Sequence, residues 1–178
     1  MCAFFMTLIE KFKLITTFIL DVDGVLTDGT VYVFDNGEQV RRMSIKDGFA
    51  LQLAVKKGYR ILVISGGTSP AVIARLKKLG ITDIFMNVTD KKVMVDQYMQ
   101  DHGLKKEQVL FMGDDIPDYV VMKAVGLPVA PADAAMEIRK IAVYVTSEKG
   151  GKGCVREVME KVLRLKGHWE LETNIASR

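Results

Sequence analysis

Residues 14–29 read LITTFILDVDGVLTDG, and the fold is decided there. Leu14–Asp21 is a continuous apolar run ending in acid, the pattern of a strand buried in a parallel sheet. Asp21-Val22-Asp23-Gly24-Val25 follows at once, so two carboxylates and a flexible glycine sit where the strand ends. Outward from this stretch the chain alternates strand and helix patterns. Thr30–Phe34 and Glu38–Ser44 flank the turn signal Asp35-Asn36-Gly37 and read as a hairpin. Helices are expected over Asp47–Lys57, Pro70–Leu79, Lys91–Asp101, Asp118–Val125, Asp133–Ile141 and Cys154–Leu165. Strands are expected over Arg60–Ser65, Asp83–Val88, Val109–Gly113, Leu127–Ala130 and Val143–Thr146. Alternation of this kind requires parallel pairing through crossover helices. The expected fold is α/β: a doubly wound parallel sheet with a β-hairpin after the first strand.

Composition sets the limits. With 178 residues, 49% hydrophobic and 26% charged, the chain suits one globular domain with an ample core. A net charge of +3, with no long basic run, gives no footprint for nucleic acid. Cys2 and Cys154 are too few for a disulfide framework or a cysteine zinc site. Met1–Ile9 is apolar but is interrupted by Glu10, Lys11 and Lys13, so no membrane span forms. Residues 1–13 read as a leader, 14–166 as the domain and 167–178 as a polar tail, and the expected location is cytoplasmic. His102 and His168 read as surface residues, and Trp169 as a contact to a neighbouring subunit.

The chemistry-bearing residues all follow strands. Asp21 and Asp23 follow the first; Ser65-Gly66-Gly67 follow another; Asp114 and Asp115 follow Val109–Gly113, with Asp118 a turn later; Lys91 opens a helix. In open parallel sheets the ligand site lies outside the carboxyl ends of the strands. Carboxylates crowded there raise one another's pKa unless a cation neutralises them. An all-oxygen set without His or Cys favours a hard cation, Mg²⁺. Phosphoryl transfer fits such a site. A carboxylate attacks phosphorus, lysine and metal offset the charge, and a hydroxyl with backbone N–H groups holds the oxygens. Beyond Gly24 the chain is free to turn Asp23 back to protonate the leaving oxygen and then activate water.

This ordered set resembles the haloacid dehalogenase superfamily of phosphatases. The four motifs correspond to Asp21-Val22-Asp23-Gly24-Val25, Ile64-Ser65-Gly66, Lys91, and Gly113-Asp114-Asp115 with Asp118. The resemblance implies Asp21 as nucleophile, Asp23 as acid/base, and Ser65 and Lys91 as holders of the phosphoryl group. It implies Mg²⁺ on Asp21, the backbone carbonyl of Asp23, and Asp114, with Asp115 and Asp118 as a further ligand or support. Only 43 residues separate Asp21 from Ser65 and 25 separate Ser65 from Lys91, which leaves no room for the cap domain most members carry. Leu26-Thr27-Asp28-Gly29, Lys46-Asp47-Gly48 and Gly150–Glu157 resemble the capless group. That group includes the 3-deoxy-D-manno-octulosonate 8-phosphate phosphatases of lipopolysaccharide precursor synthesis and their nonulosonate 9-phosphate relatives.

The resemblance implies a phosphorylated sugar acid as substrate, held by Ser44, Lys46, Asp47, Gly48, Gly66, Gly67, Arg75 and Lys91. Gln52 and Gly67 stand where the octulosonate phosphatases carry arginine, and neither can pair bidentately with a carboxylate. The resemblance also implies a homotetramer joined through the hairpin. That hairpin is apolar at Val31, Tyr32, Val33, Phe34 and Val40, where a solvated ribbon would alternate with polar residues. Gly150–Gly153 reads either as a surface turn or as a flexible element near the site. Two other classes remain: a receiver domain phosphorylated as a switch, which has no counterpart of Asp23, and a non-catalytic relative kept for oligomerisation.

Overall fold

The computed structural model describes residues 6–170 and places the apolar runs in one six-stranded parallel sheet. The N-terminal half contains α1 (Leu8–Leu14), β1 (Thr17–Leu20), a tight turn at Val22–Leu26, the hairpin strands β2 (Tyr32–Val33) and β3 (Gln39–Val40), and α2 (Ile45–Lys56). Then come β4 (Arg60–Ile64), α3 (Pro70–Lys78), β5 (Asp83–Phe85), α4 (Lys91–Asp101) and β6 (Val109–Met112). The C-terminal part has a 3₁₀ turn (Ile116–Asp118) running into α5 (Tyr119–Met122), β7 (Leu127–Ala130), α6 (Met136–Ile141), β8 (Tyr144–Val145) and α7 (Cys154–Leu165).

Strand order is β5-β4-β1-β6-β7-β8, so the chain winds from β1 to one side and then returns to the other. Leu20 pairs with Val63 on β4 and with Met112 on β6, which brings the ends of the three central strands level. Alternate strand residues enter two cores. Phe18, Leu20, Val63 and Met112 face Phe12 of α1, Leu51 of α2, Leu76 of α3 and Val158 of α7. Ile19, Leu62, Ile64 and Phe111 face Val95 of α4, Val121 of α5 and Ile138 of α6. Burial on both faces is why β1, β6 and β7 read as unbroken apolar runs. No cap interrupts the fold: between Asp21 and Ser65 lie only the tight turn, the hairpin, α2 and β4, and between Ser65 and Lys91 only α3 and β5. Among the described residues no helix is long and apolar enough to cross a membrane.

Several boundaries move for identifiable reasons. Leu14 closes α1 and does not begin β1. Thr7 and Glu10 form a reciprocal capping box, and the helix they start carries Phe12 into the core against Tyr144, ring centroids 5.4 Å apart. Residues 8–13 of the expected leader are therefore packed structure, and residues 1–5, with Cys2, lie outside the described residues. Ser44 caps α2, whose first residue is Ile45. The strand expected over Asp83–Val88 ends at Phe85, because the next residues fold over the loop after β4: Asn87 N–H donates to the Gly67 carbonyl and Val88 N–H to that of Ser65. The helices expected from Asp118 and Asp133 begin at Tyr119 and Met136. Trp169 packs on its own subunit, edge-on to Phe49 at 6.0 Å and under the Arg156 guanidinium at 5.3 Å. The rest of the expected tail, residues 171–178, lies outside the described residues.

Candidate active site

The topological switch between β4, β1 and β6 opens a cleft of about 520 Å³ at the carboxyl ends of the strands. Its lining includes Asp21, Asp23, Ser65, Gly66, Gly67, Lys91, Asp114, Asp115 and Asp118, which come from four separate segments of the sequence.

Asp21 extends β1 by one bond, its N–H donating to the Met112 carbonyl at 3.0 Å. The chain then folds into the turn at Val22–Leu26, where Gly24 takes φ +79°. A Cβ on Gly24 would stand 1.9 Å from Asp114 Oδ2, so both the backbone angle and the close approach require glycine. The turn brings the Asp23 carboxylate back over the cleft, where Oδ1 accepts from the Thr27 hydroxyl at 3.3 Å. Arg41 grips both oxygens of Asp23, Nε to Oδ1 at 2.7 Å and Nη2 to Oδ2 at 3.3 Å.

Opposite Asp23, Lys91 comes in from the first residue of α4 with Nζ 3.0 Å from Asp21 Oδ1 and 2.7 Å from Asp118 Oδ1. Asp118 is fully buried, and its other oxygen accepts from the Asp114 N–H at 3.0 Å. One lysine thus serves two carboxylates, with a third beside them. Oxygens of Asp21, Asp114 and Asp118 lie within 4.8 Å of one another. Burial, then the charges of Asp21, Asp118 and Asp115, pushes Asp114 up to about 7. Burial and then the Asp118 charge raise Asp21 as well. Burial opposes the Lys91 charge, but Asp21 and Asp118 prevail and hold it above the ordinary lysine range. This excess of negative charge in an all-oxygen donor set is the environment a hard cation relieves.

Ser65, buried at the end of β4, accepts from the Gly67 N–H at 3.1 Å, which leaves its hydroxyl proton to donate to a bound oxyanion. Asp115 is exposed and stands apart from the close triad. Its Oδ1 caps the 3₁₀ turn through the Ile116 N–H at 2.8 Å.

The residues expected to contact substrate divide into two sets. Gly66, Gly67 and Lys91 line the cleft, whereas Ser44, Lys46, Asp47, Gly48 and Arg75 do not. The Ser44 hydroxyl accepts from the Asp47 N–H at 3.3 Å, and the Ser44 carbonyl accepts from Arg75 Nη2 at 3.5 Å. Asp47 is buried and accepts from the Arg156 N–H at the start of α7, 2.7 Å away. This knot joins α2, α3 and α7, and burial within it raises the Asp47 pKa. Lys46 is exposed on a neighbouring groove along α7. Arg41 escaped the sequence reading, and Thr27 entered it only within Leu26-Thr27-Asp28-Gly29, with no role assigned. The signal for Arg41 was two adjacent arginines ending an otherwise apolar ribbon.

The loop at Gly150–Gly153 is no surface turn. Gly150 and Gly151 are buried against residues 24–28, and the Gly151 N–H donates to the Val25 carbonyl at 2.9 Å.

Comparison with known proteins agrees with this geometry. A family model of haloacid dehalogenase-like hydrolases matches residues 73–158. The chain is 36% identical over 159 residues to the 3-deoxy-D-manno-octulosonate 8-phosphate phosphatase of Escherichia coli, a match covering 89% of this chain and 85% of that protein. The crystal structure of the phosphatase of that name from Yersinia pestis superposes with a TM-score of 0.87 at 34% identity, covering 90% of this chain and 86% of the other. The Moraxella catarrhalis enzyme, crystallised with magnesium, phosphate and the sugar acid KDO, gives 0.85 at 30% identity, covering 88% of this chain and 90% of the other.

Proposed function

The chain belongs to the haloacid dehalogenase-like hydrolases, in the 3-deoxy-D-manno-octulosonate 8-phosphate phosphatase family, and on that premise we propose that it hydrolyses this keto-acid sugar phosphate through an aspartyl-phosphate on Asp21. It is a phosphoric monoester hydrolase. The observation that carries the mechanism is that Asp21, 3.0 Å from Lys91 Nζ, shares one cleft at the switch point with Asp23, which Arg41 holds.

Asp21 attacks phosphorus with a carboxylate oxygen as the bond from phosphorus to the sugar oxygen breaks. Asp23 delivers a proton to that leaving oxygen. Lys91, the Ser65 hydroxyl and the backbone N–H groups of the loop after β4 hold the phosphoryl oxygens. In the second half, Asp23 takes a proton from a water that attacks the same phosphorus, and inorganic phosphate leaves with Asp21 restored. Asp21 and Asp114, with the backbone carbonyl of Asp23, are the proposed ligands of magnesium, and Asp118 supports them through Lys91 and the Asp114 N–H. When bound, the ion offsets the charge of the carboxylates and of the transferring phosphoryl group.

We further propose a homotetramer in the cytoplasm, assembled through the exposed apolar hairpin and closing the cleft that no cap covers. One alternative substrate is a nonulosonate 9-phosphate, since Gln52 and Gly67 stand where the octulosonate phosphatases carry arginine.

Phosphate release should be assayed over keto-acid and simple sugar phosphates, with magnesium or with a chelator. The expected result is magnesium-dependent turnover highest for the octulosonate 8-phosphate, lost by roughly a thousandfold or more in Asp21→Asn. Activity surviving that substitution overturns the covalent mechanism. A preference for the nonulosonate ester replaces the substrate and keeps the reaction.

A further inference from the structure

We propose that Arg41 reads the acid group of the substrate, holding its carboxylate with the part of the guanidinium that Asp23 leaves unused. The assignment rests on the phosphatase reading above and extends it to specificity.

Arg41 leaves the hairpin just after β3 and turns inward: its side chain is 9% exposed, against 57% for Arg42 beside it. A guanidinium is buried to that degree only when its charge is matched, and here Asp23 matches it. The pair uses Nε and Nη2, two of the five N–H donors of arginine. Nη2 lies 3.7 Å from the place a Cβ on Gly67 would occupy, and Gly67 lines the cleft. Arg41 itself is not part of the cleft lining, but residue 67 has no side chain to stand between its guanidinium and the Gly67 wall.

Charge balance gives this position its meaning. Among the described residues the cleft lining holds five aspartates and one cation, Lys91, whose ammonium is already shared by Asp21 and Asp118. A phosphomonoester that also carries a carboxylate adds negative charge that a single divalent ion cannot offset. Two further arginines are committed elsewhere. Arg42 pairs with Asp28 at 2.5 Å, and Arg75 donates to the Ser44 carbonyl outside the cleft. Direction also favours the leaving group. Asp23 acts on the oxygen that departs with the sugar, so the cation behind Asp23 faces the sugar acid, while Lys91 serves the phosphoryl side. A planar guanidinium recognises a carboxylate bidentately, which an ammonium cannot do. Since one guanidinium holds both Asp23 and the acid group, recognition of the substrate and aiming of the acid/base are coupled.

The test compares the wild type, Arg41→Met and Arg41→Lys on two substrates in magnesium: the octulosonate 8-phosphate and sedoheptulose 7-phosphate, which has no carboxylate. The kcat/KM ratio of the first to the second should fall roughly tenfold to a hundredfold in Arg41→Met, mainly through KM, and less in Arg41→Lys. A role limited to orienting Asp23 would slow both substrates alike, and an unchanged ratio overturns the assignment. Should Arg41→Met fail to fold, inhibition by the dephosphorylated sugar acid decides. A weakening of roughly tenfold in Arg41→Lys supports the proposal, and an unchanged inhibition constant overturns it. A wild type without preference for the carboxylated substrate removes the substrate reading and this assignment together. A wild-type preference with an unchanged ratio in the variants removes only Arg41.

Discussion

Asp21, Asp114 and Asp118 share one lysine, and their electrostatics set how the protein responds to pH and to metal. Asp114 is pushed up to about 7 and Asp21 is raised, both chiefly by burial, whereas unfolded aspartates titrate near 3.8. A carboxyl whose pKa is higher in the folded state stabilises the fold below the unfolded value and loses that contribution as pH climbs to the folded one. Metal-free protein should therefore lose stability from this cluster as pH rises from about 4 to about 7. Magnesium should restore it, by about 2.7 kcal/mol when present at a hundred times its dissociation constant. Urea unfolding at pH 5, 6 and 7, in chelator and in magnesium, measures both effects. Equal midpoints with and without magnesium at pH 7 would rule out a cation site at these residues. The pattern of aspartates was legible because each follows an apolar run that has to end at the sheet's rim. The Asp23–Arg41 pair was not, since nothing in a strand's own sequence says which distant arginine will turn inward.

Among the elements, the loop before α7 carries more of the site than its glycine-rich sequence suggests. A Cβ on Gly150 would stand 1.9 Å from the Gly24 carbonyl oxygen, and one on Gly151 would meet the Asp28 N–H at 2.5 Å. The Cys154 thiol also donates to the Val25 carbonyl at 3.3 Å, so the start of α7 backs the turn that aims Asp23. Gly150→Ala should displace that turn, lowering kcat at least tenfold and stability by about 1–3 kcal/mol. Steady-state kinetics and the urea midpoint together measure this, and a variant with wild-type kcat would show that the turn holds without its backing. Strand and helix order was readable from the apolar period. The limits were less so, because a continuous apolar run such as Leu14–Leu20 looks the same whether its first residue closes a capped helix or opens a strand. The Thr7–Glu10 box, which settles the matter, lies a full helix earlier.

At the scale of the whole molecule, the sheet leaves the cleft open and the hairpin apart. The strands β2 and β3 form their own two-stranded sheet, and Tyr32, Val33 and Phe34 are 60%, 71% and 51% exposed. Apolar side chains on a ribbon that, among the described residues, pairs with no strand of the main sheet are the surface through which the proposed tetramer would form. Light scattering at micromolar concentration should find a tetramer for the wild type. Val33→Asp, which would bury a charge in that contact, should weaken the assembly by about 2 kcal/mol or more. A wild-type monomer under those conditions would leave the cleft uncovered and end the shared-site reading. The sequence by itself determined the sheet, the absence of a cap and the residues at the strand ends. Each follows from local periodicity, from chain length between motifs, or from the rule that parallel strands deliver their ends to one rim. Only the tertiary structure decided that Arg41 crosses to Asp23, that Ser44, Asp47 and Arg75 knot α2, α3 and α7 outside the cleft, and that Gly150 supports Gly24. These pairings join residues distant in the chain, and their energies come from burial and charge that exist only once the layers have packed.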